Sequence, residues 1–185
     1  METTDKKEKL QIKQMAIIAI MTAVTCVLAP LSLPIGPVPI SLTMLAIFFS
    51  LYILGMKKGT LSYVIYLLLG LVGVPVFSGF TSGPAKLFGP TGGYLIGFIP
   101  MALVAGWFID RYAGKWVQCL LGMVLGTLIC YAFGTLWLAY EAGMDFYAAL
   151  LAGVIPFIPG DLIKMVIAIL VAPKIKGQLV KAGAL

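Results

Sequence analysis

The chain carries two opposite charges close together inside an otherwise apolar segment. Asp161 and Lys164 belong to the sequence Pro-Phe-Ile-Pro-Gly-Asp-Leu-Ile-Lys at residues 156–164. On a helix, side chains with this spacing share one face, and the Pro-Gly that precedes them indicates a broken or newly started helix. An ionised carboxylate only accepts hydrogen bonds and an ammonium only donates them. The pair is suited to bind a small polar group that offers both N–H and C=O. The alternative is a structural ion pair that closes a helix end.

No other residues form a recognisable catalytic set. The chain has no histidine, and its three cysteines lack a CxxC motif, which disfavours a metal site or a disulfide framework. The Gly-Pro-Thr-Gly-Gly sequence at residues 89–93 lacks the lysine and the spacing of a phosphate-binding P-loop. We therefore expect a binding protein rather than an enzyme, with no cofactor, no metal, no catalytic residues and no ATPase motif of its own.

The composition is that of a membrane protein. Hydrophobic residues make up 61% of the chain and charged residues 11%, whereas soluble domains have about 45–50% apolar and about 25% charged residues. The long apolar runs lack the alternation of barrel strands. We predict an all-α bundle of six transmembrane helices that forms a single integral membrane domain. The predicted spans cover residues 14–29, 40–54, 60–74, 94–109, 116–138 and 155–172.

The basic residues predict how these spans are oriented. One side of the six-span arrangement has eleven of the thirteen: Lys6, Lys7, Lys9, Lys13, Lys57, Lys58, Arg111, Lys115, Lys174, Lys176 and Lys181. The other side has only Lys86, and Lys164 lies within the last span. Because cytoplasmic loops are enriched in Lys and Arg, both termini are expected in the cytoplasm. Short basic clusters between apolar runs also argue against a nucleic-acid partner.

This orientation places several unusual features on the outer side. Asp161 and Lys164 fall in the outer half of the last span, and the proline-rich segment 30–39 and the glycine-rich segment 75–93 are outer loops. We predict a pocket that opens to the exterior beneath these two loops. The aromatic residues available to cover an apolar part of a ligand are Phe77, Phe80, Tyr94 and Phe157.

The first span has two small residues one helical turn apart. Ala19 and Ala23 form a small-xxx-small pair, which lets another helix approach closely. The pair serves either ordinary packing within the chain or contact with a partner protein.

Four segments resemble the BioY family. They are Gly36-Pro-Val-Pro-Ile, Val74-Pro-Val-Phe-Ser-Gly-Phe, Gly89-Pro-Thr-Gly-Gly-Tyr-Leu-Ile-Gly-Phe and the segment at 156–164. The resemblance implies a biotin-binding S component of an energy-coupling factor (ECF) transporter, a multi-pass protein of the bacterial plasma membrane. Such a subunit captures biotin from outside with high affinity. A transmembrane coupling protein and two cytoplasmic ATP-binding subunits then deliver it inward, and Ala19 and Ala23 match the small residues that contact the coupling protein.

The resemblance also implies roles for the site residues. Asp161 would accept a hydrogen bond from a ureido N–H of biotin. Lys164 would donate to the ureido oxygen or to the valerate carboxylate, and the sequence leaves both open. The fused ring would stack on Phe80 or Tyr94.

Thr43 and Lys86 are two further candidate ligand contacts. Many relatives have Thr-Leu-Gln after the Gly-Pro-Val-Pro-Ile segment, where this chain has Ser-Leu-Thr, so Thr43 is a shorter substitute if that side chain touches the ligand. Lys86 is either an attractor for the biotin carboxylate or an ordinary loop lysine.

Two other functions remain open at this point. The first is an S component for a different water-soluble vitamin on the same fold. The second is a structural membrane protein without a transport function, in which the Asp161–Lys164 pair only closes a helix.

Overall fold

The computed structural model describes residues 2–34, 38–183 and 185, and side chains from residue 11 onward within those ranges. Part of the predicted outer loop, residues 35–37, lies outside the described residues. The elements in chain order are α1 (Glu2–Leu28), β1 (Ser32–Leu33), β2 (Ile40–Ser41), α2 (Thr43–Leu71), α3 (Pro84–Leu87), α4 (Gly92–Arg111), α5 (Trp116–Ala142), α6 (Phe146–Gly153) and α7 (Ile158–Lys181). The two short strands pair antiparallel.

Apart from this short strand pair, the protein is an all-helical membrane protein, as predicted. Within the described residues, α1, α2, α4 and α5 are each long and apolar enough to cross a membrane. The pair α6 and α7, bent by 46°, adds a fifth candidate. The count of six spans and the orientation of the termini stay predictions.

Helix α2 contains both the second and the third predicted spans. Gly55 interrupts it with φ 79° and ψ 175°, a left-handed φ that glycine adopts without strain. A Cβ placed on Gly59 would lie 3.0 Å from Cα of Leu51, although eight residues of straight helix would separate them by about 12 Å. The chain therefore doubles back at Gly55, and the two halves of α2 pack against each other.

The last helix begins later and ends later than the predicted span 155–172. Residues 154–157 separate α6 from α7, and Pro159 lies in the first turn of α7, where its missing N–H costs no helical hydrogen bond. Asp161 also lies in this first turn. The newly started helix indicated by the Pro-Gly sequence is thus present, and α7 continues to Lys181.

Helices α4 and α5 pack closely through small residues. A Cβ on Gly122 would overlap Phe108, and one on Gly134 would overlap the ring of Tyr94. The C-terminal end of α4 thus lies against the first part of α5, and its N-terminal end lies against the second part, so the two helices pack antiparallel along the length of α4. This packing brings Tyr94 to the same end of the bundle as the start of α7.

Candidate functional site

A cavity of about 70 Å³ lies at the end of the bundle where α7 begins. Two loops contribute to its wall through Val38, Pro39 and Ser78. The remaining wall comes from β2, α2, α5, the end of α6, and α4 and α7 with the residue before each. Most of the cavity surface is apolar, with several convergent polar groups. The polar residues are Ser41, Thr43, Thr91, Tyr94, Tyr131, Asp161 and Lys164.

The predicted charge pair lies in this wall. Nζ of Lys164 donates to Oδ1 of Asp161 at 2.8 Å, and the two residues are only 8% and 5% exposed. Oδ2 of Asp161 accepts a second hydrogen bond, 2.6 Å long, from the hydroxyl of Tyr131 on α5. The position of Asp161 in the first turn of α7 also lets the helix dipole stabilise its charge.

The pair keeps hydrogen-bonding capacity for a ligand. An ammonium has three donors and a carboxylate about four acceptor sites. In the described part of the chain, Lys164 uses one donor on Asp161, and each carboxylate oxygen of Asp161 accepts one side-chain bond. The same wall of the cavity therefore offers an acceptor beside a donor.

Tyr94 and Thr43, two of the other predicted site residues, also line the cavity. The hydroxyl of Tyr94 is buried and has no hydrogen-bond partner among the described residues. It lies against Gly153, where a Cβ would overlap it. Oγ1 of Thr43 lies 2.8 Å from Oγ of Ser41, so these hydroxyls form a second polar group near the loops.

The structure does not bring Phe80 and Lys86 into the cavity wall. Phe80 is 66% exposed and has a positive φ of 58°. It lines a separate surface groove with residues of the β1–β2 region. Lys86 lies in the short helix α3, where partial burial lowers the pKa of its ammonium below the ordinary lysine value. A role of these two residues in ligand binding stays a prediction.

Sequence reasoning missed Tyr131, the third member of the polar cluster. It lies 30 residues before Asp161 in an apolar helix, without a motif around it. The packing of α5 beside α7 brings the two together. A tyrosine in the middle of an apolar span was the one local signal, because a buried phenol normally needs a hydrogen-bond partner.

Ala19 and Ala23 lie on an open face of α1. Both are exposed, and they line a groove of about 610 Å³ with Leu61, Ile65 and Leu69 from the second half of α2. Between them, Thr22 is buried, and its hydroxyl lies 3.0 Å from that of Ser62 on α2. The two alanines thus remain accessible beside a helix contact formed by their neighbour.

Known proteins are similar to this chain in both sequence and fold. The chain is 42% identical over 164 residues to a biotin transporter BioY of Thermotoga maritima and covers 96% of that protein. It is 38% identical over 169 residues to a probable biotin transporter BioY of Pyrococcus horikoshii and covers 99% of it. These alignments include 89% and 91% of the present chain, respectively.

A solved structure agrees with the sequence comparisons. The fold matches a crystal structure of the S-component for biotin from an ECF-type ABC transporter, with a TM-score of 0.84 and 30% identity. The match covers 91% of this chain and 93% of the other. The BioY family model matches residues 3–181, nearly the whole sequence. The chain therefore belongs to the BioY family.

Proposed function

We propose that this chain is the biotin-binding S component of an ECF-type transporter and captures biotin from outside with high affinity. The observation that carries this proposal is the buried Asp161–Lys164 pair in the wall of a mostly apolar cavity. The proposal is further supported by the similarity of the chain to relatives named biotin transporter and to a solved S-component for biotin.

The ureido group of biotin complements this pair. It presents N–H donors next to a carbonyl acceptor, and the cavity wall presents a carboxylate next to an ammonium, 2.8 Å apart. Asp161 accepts from a ureido N–H. Since Lys164 is held beside Asp161, we assign its free donors to the ureido oxygen rather than to the distant valerate carboxylate. Tyr94, Phe98 and Phe157 provide aromatic surface for the fused ring.

Binding requires the cavity to enlarge. Its volume of about 70 Å³ is below the roughly 300–1,000 Å³ of ligand pockets in general. The two loops are the parts of the wall that can move most easily. They are joined by one hydrogen bond, in which the N–H of Gly79 donates to the carbonyl of Pro30 at 3.1 Å. We propose that this contact opens when biotin enters and forms again above it.

Delivery requires the other subunits of the transporter. We propose that the exposed groove beside Ala19 and Ala23 contacts a transmembrane coupling protein, which is driven by ATP-binding subunits. The six predicted spans would cross the cell membrane as one domain with both termini in the cytoplasm. The present chain supplies the binding site and leaves ATP hydrolysis to its partners.

The test is equilibrium dialysis of the purified protein with labelled biotin, riboflavin and thiamine. We expect saturable binding of biotin with one site per chain, and no competition by the other two vitamins. Saturable binding of another vitamin in place of biotin would identify a different S component. Binding of none of them would refute the proposal in favour of a structural protein.

A further inference from the structure

Tyr131 lies between two cavities. It lines the central cavity, and together with Asp161 it also lines a second, apolar cleft of about 160 Å³ between α5 and α7. Apart from one threonine and one methionine, the other residues that line this cleft are aliphatic, with Leu128 on α5 and Leu162 on α7. The 2.6 Å bond from Tyr131 to Asp161 is thus a polar connection between the two helices at the point where the cavities meet.

This bond fixes the orientation of the carboxylate. Lys164 binds Oδ1 and Tyr131 binds Oδ2, so the two oxygens are held by groups on different helices. If the tyrosine hydroxyl were absent, the carboxylate would be free to rotate and to offer both oxygens to the nearby ammonium. Lys164 and Asp161 would then satisfy each other, and both would lose capacity to bind a ligand.

We infer that Tyr131 is a positioning residue of the binding site and acts through Asp161. It holds one carboxylate oxygen away from Lys164, so that an acceptor and a donor stay available side by side. This inference rests on the proposed function, since the ligand that uses the two groups is biotin. Hydrogen bonds to charged groups are short and strong, which suits a positioning role.

The test is a double-mutant cycle on biotin affinity, measured by equilibrium dialysis. Tyr131→Phe keeps the ring and removes only the hydroxyl. We expect it to raise Kd about ten- to hundredfold, the range for a hydrogen bond to a charged group. In an Asp161→Asn background the same change should have little further effect. The control is Tyr140→Phe on the same helix, at a residue that is 86% exposed, and this change should leave Kd unaltered.

The outcomes separate the inference from the proposed function. If the wild-type protein binds biotin and Tyr131→Phe leaves Kd unchanged, the positioning role is refuted and the proposed function is upheld. If the increase of Kd in the double variant equals the product of the increases in the two single variants, Tyr131 acts independently of Asp161. That result would also refute the positioning role. Absence of biotin binding by the wild-type protein would instead refute the function itself. Infrared spectroscopy gives a check that does not depend on binding. The difference spectrum between wild type and Asp161→Asn identifies the carboxylate band of Asp161, and Tyr131→Phe should shift this band.

Discussion

Lys164 and Asp161 form a buried ion pair one helical turn apart, with Nζ 2.8 Å from Oδ1. Such a pair contributes little to stability in general, because desolvation offsets much of the attraction, and apolar replacements of buried pairs are often neutral or stabilising. A purely structural role is therefore a weak reason to place these charges in an apolar helix. The unused donors and acceptors of the pair, in the wall of a cavity, favour a role in binding.

Asp161→Asn should weaken biotin binding by at least about 1–3 kcal/mol, because it removes a charged acceptor and leaves Lys164 without its counter-charge. Equilibrium dialysis measures the change, and Glu141→Gln, at an exposed carboxylate, is the control. Thermal unfolding of the same variants separates lost binding from lost stability. Unchanged affinity together with a lower unfolding temperature would support the structural pair instead.

Cys130 provides a chemical probe of the cavity. It is 1% exposed and lines the cavity, whereas Cys26 lies in the groove beside α1. In a protein that keeps only Cys130, we expect slow alkylation by a small maleimide, and biotin should slow it further because it closes the access route. A protein that keeps only Cys26 is the control, and its alkylation rate should not respond to biotin. Equal effects of biotin on both rates would contradict the assignment of the site.

The sequence was sufficient to predict the class and the charge pair. Long apolar runs determine an all-helical membrane protein, and an i, i+3 spacing at a helix start brings Asp161 and Lys164 together whatever the rest of the fold. The predicted topology already puts Tyr94 on the side of the pair, whereas Thr43 is predicted near the ligand only through the resemblance, which supplies an arrangement that local pattern does not contain.

Other features depend on tertiary packing. The contact of Tyr131 with Asp161 follows from the packing of α5 beside α7, and its one local sign in the sequence is a tyrosine within an apolar helix. Phe80 is predicted to cover the ligand because it is an aromatic residue in an outer loop. In the structure its backbone has a positive φ and its ring is exposed on the surface. The two predicted spans in α2 are joined at Gly55, which lies in the predicted interval 55–59 between them. The apolar runs therefore place the turn correctly, but they do not show that the residues directly after Gly55 already belong to the second half of the helix.

Asp110 stabilises this turn. Its Oδ2 accepts a hydrogen bond of 2.8 Å from the backbone N–H of Met56, at the start of the second half of α2. Because loss of a helix-capping side chain costs about 0.5–2 kcal/mol, Asp110→Ala should lower the free energy of unfolding by a similar amount. Asp110→Asn keeps an acceptor and should recover part of the loss. Biotin affinity should stay unchanged in both, and a weaker affinity would indicate that the turn communicates with the site.

The exposed groove on α1 should be needed for transport and not for binding. Ala19→Trp fills the groove with a large ring on a face that has no role in the cavity, so biotin binding should be unaffected. ATP-driven uptake in cells that contain the coupling subunits should fall to near background, because the ring prevents close approach of a partner helix. The control is Ile20→Trp, at a neighbouring residue that is 59% exposed and does not line the groove. Normal uptake by Ala19→Trp would show that the coupling protein contacts another surface. Equal losses in the two variants would show that α1 tolerates no bulky residue, whatever its face.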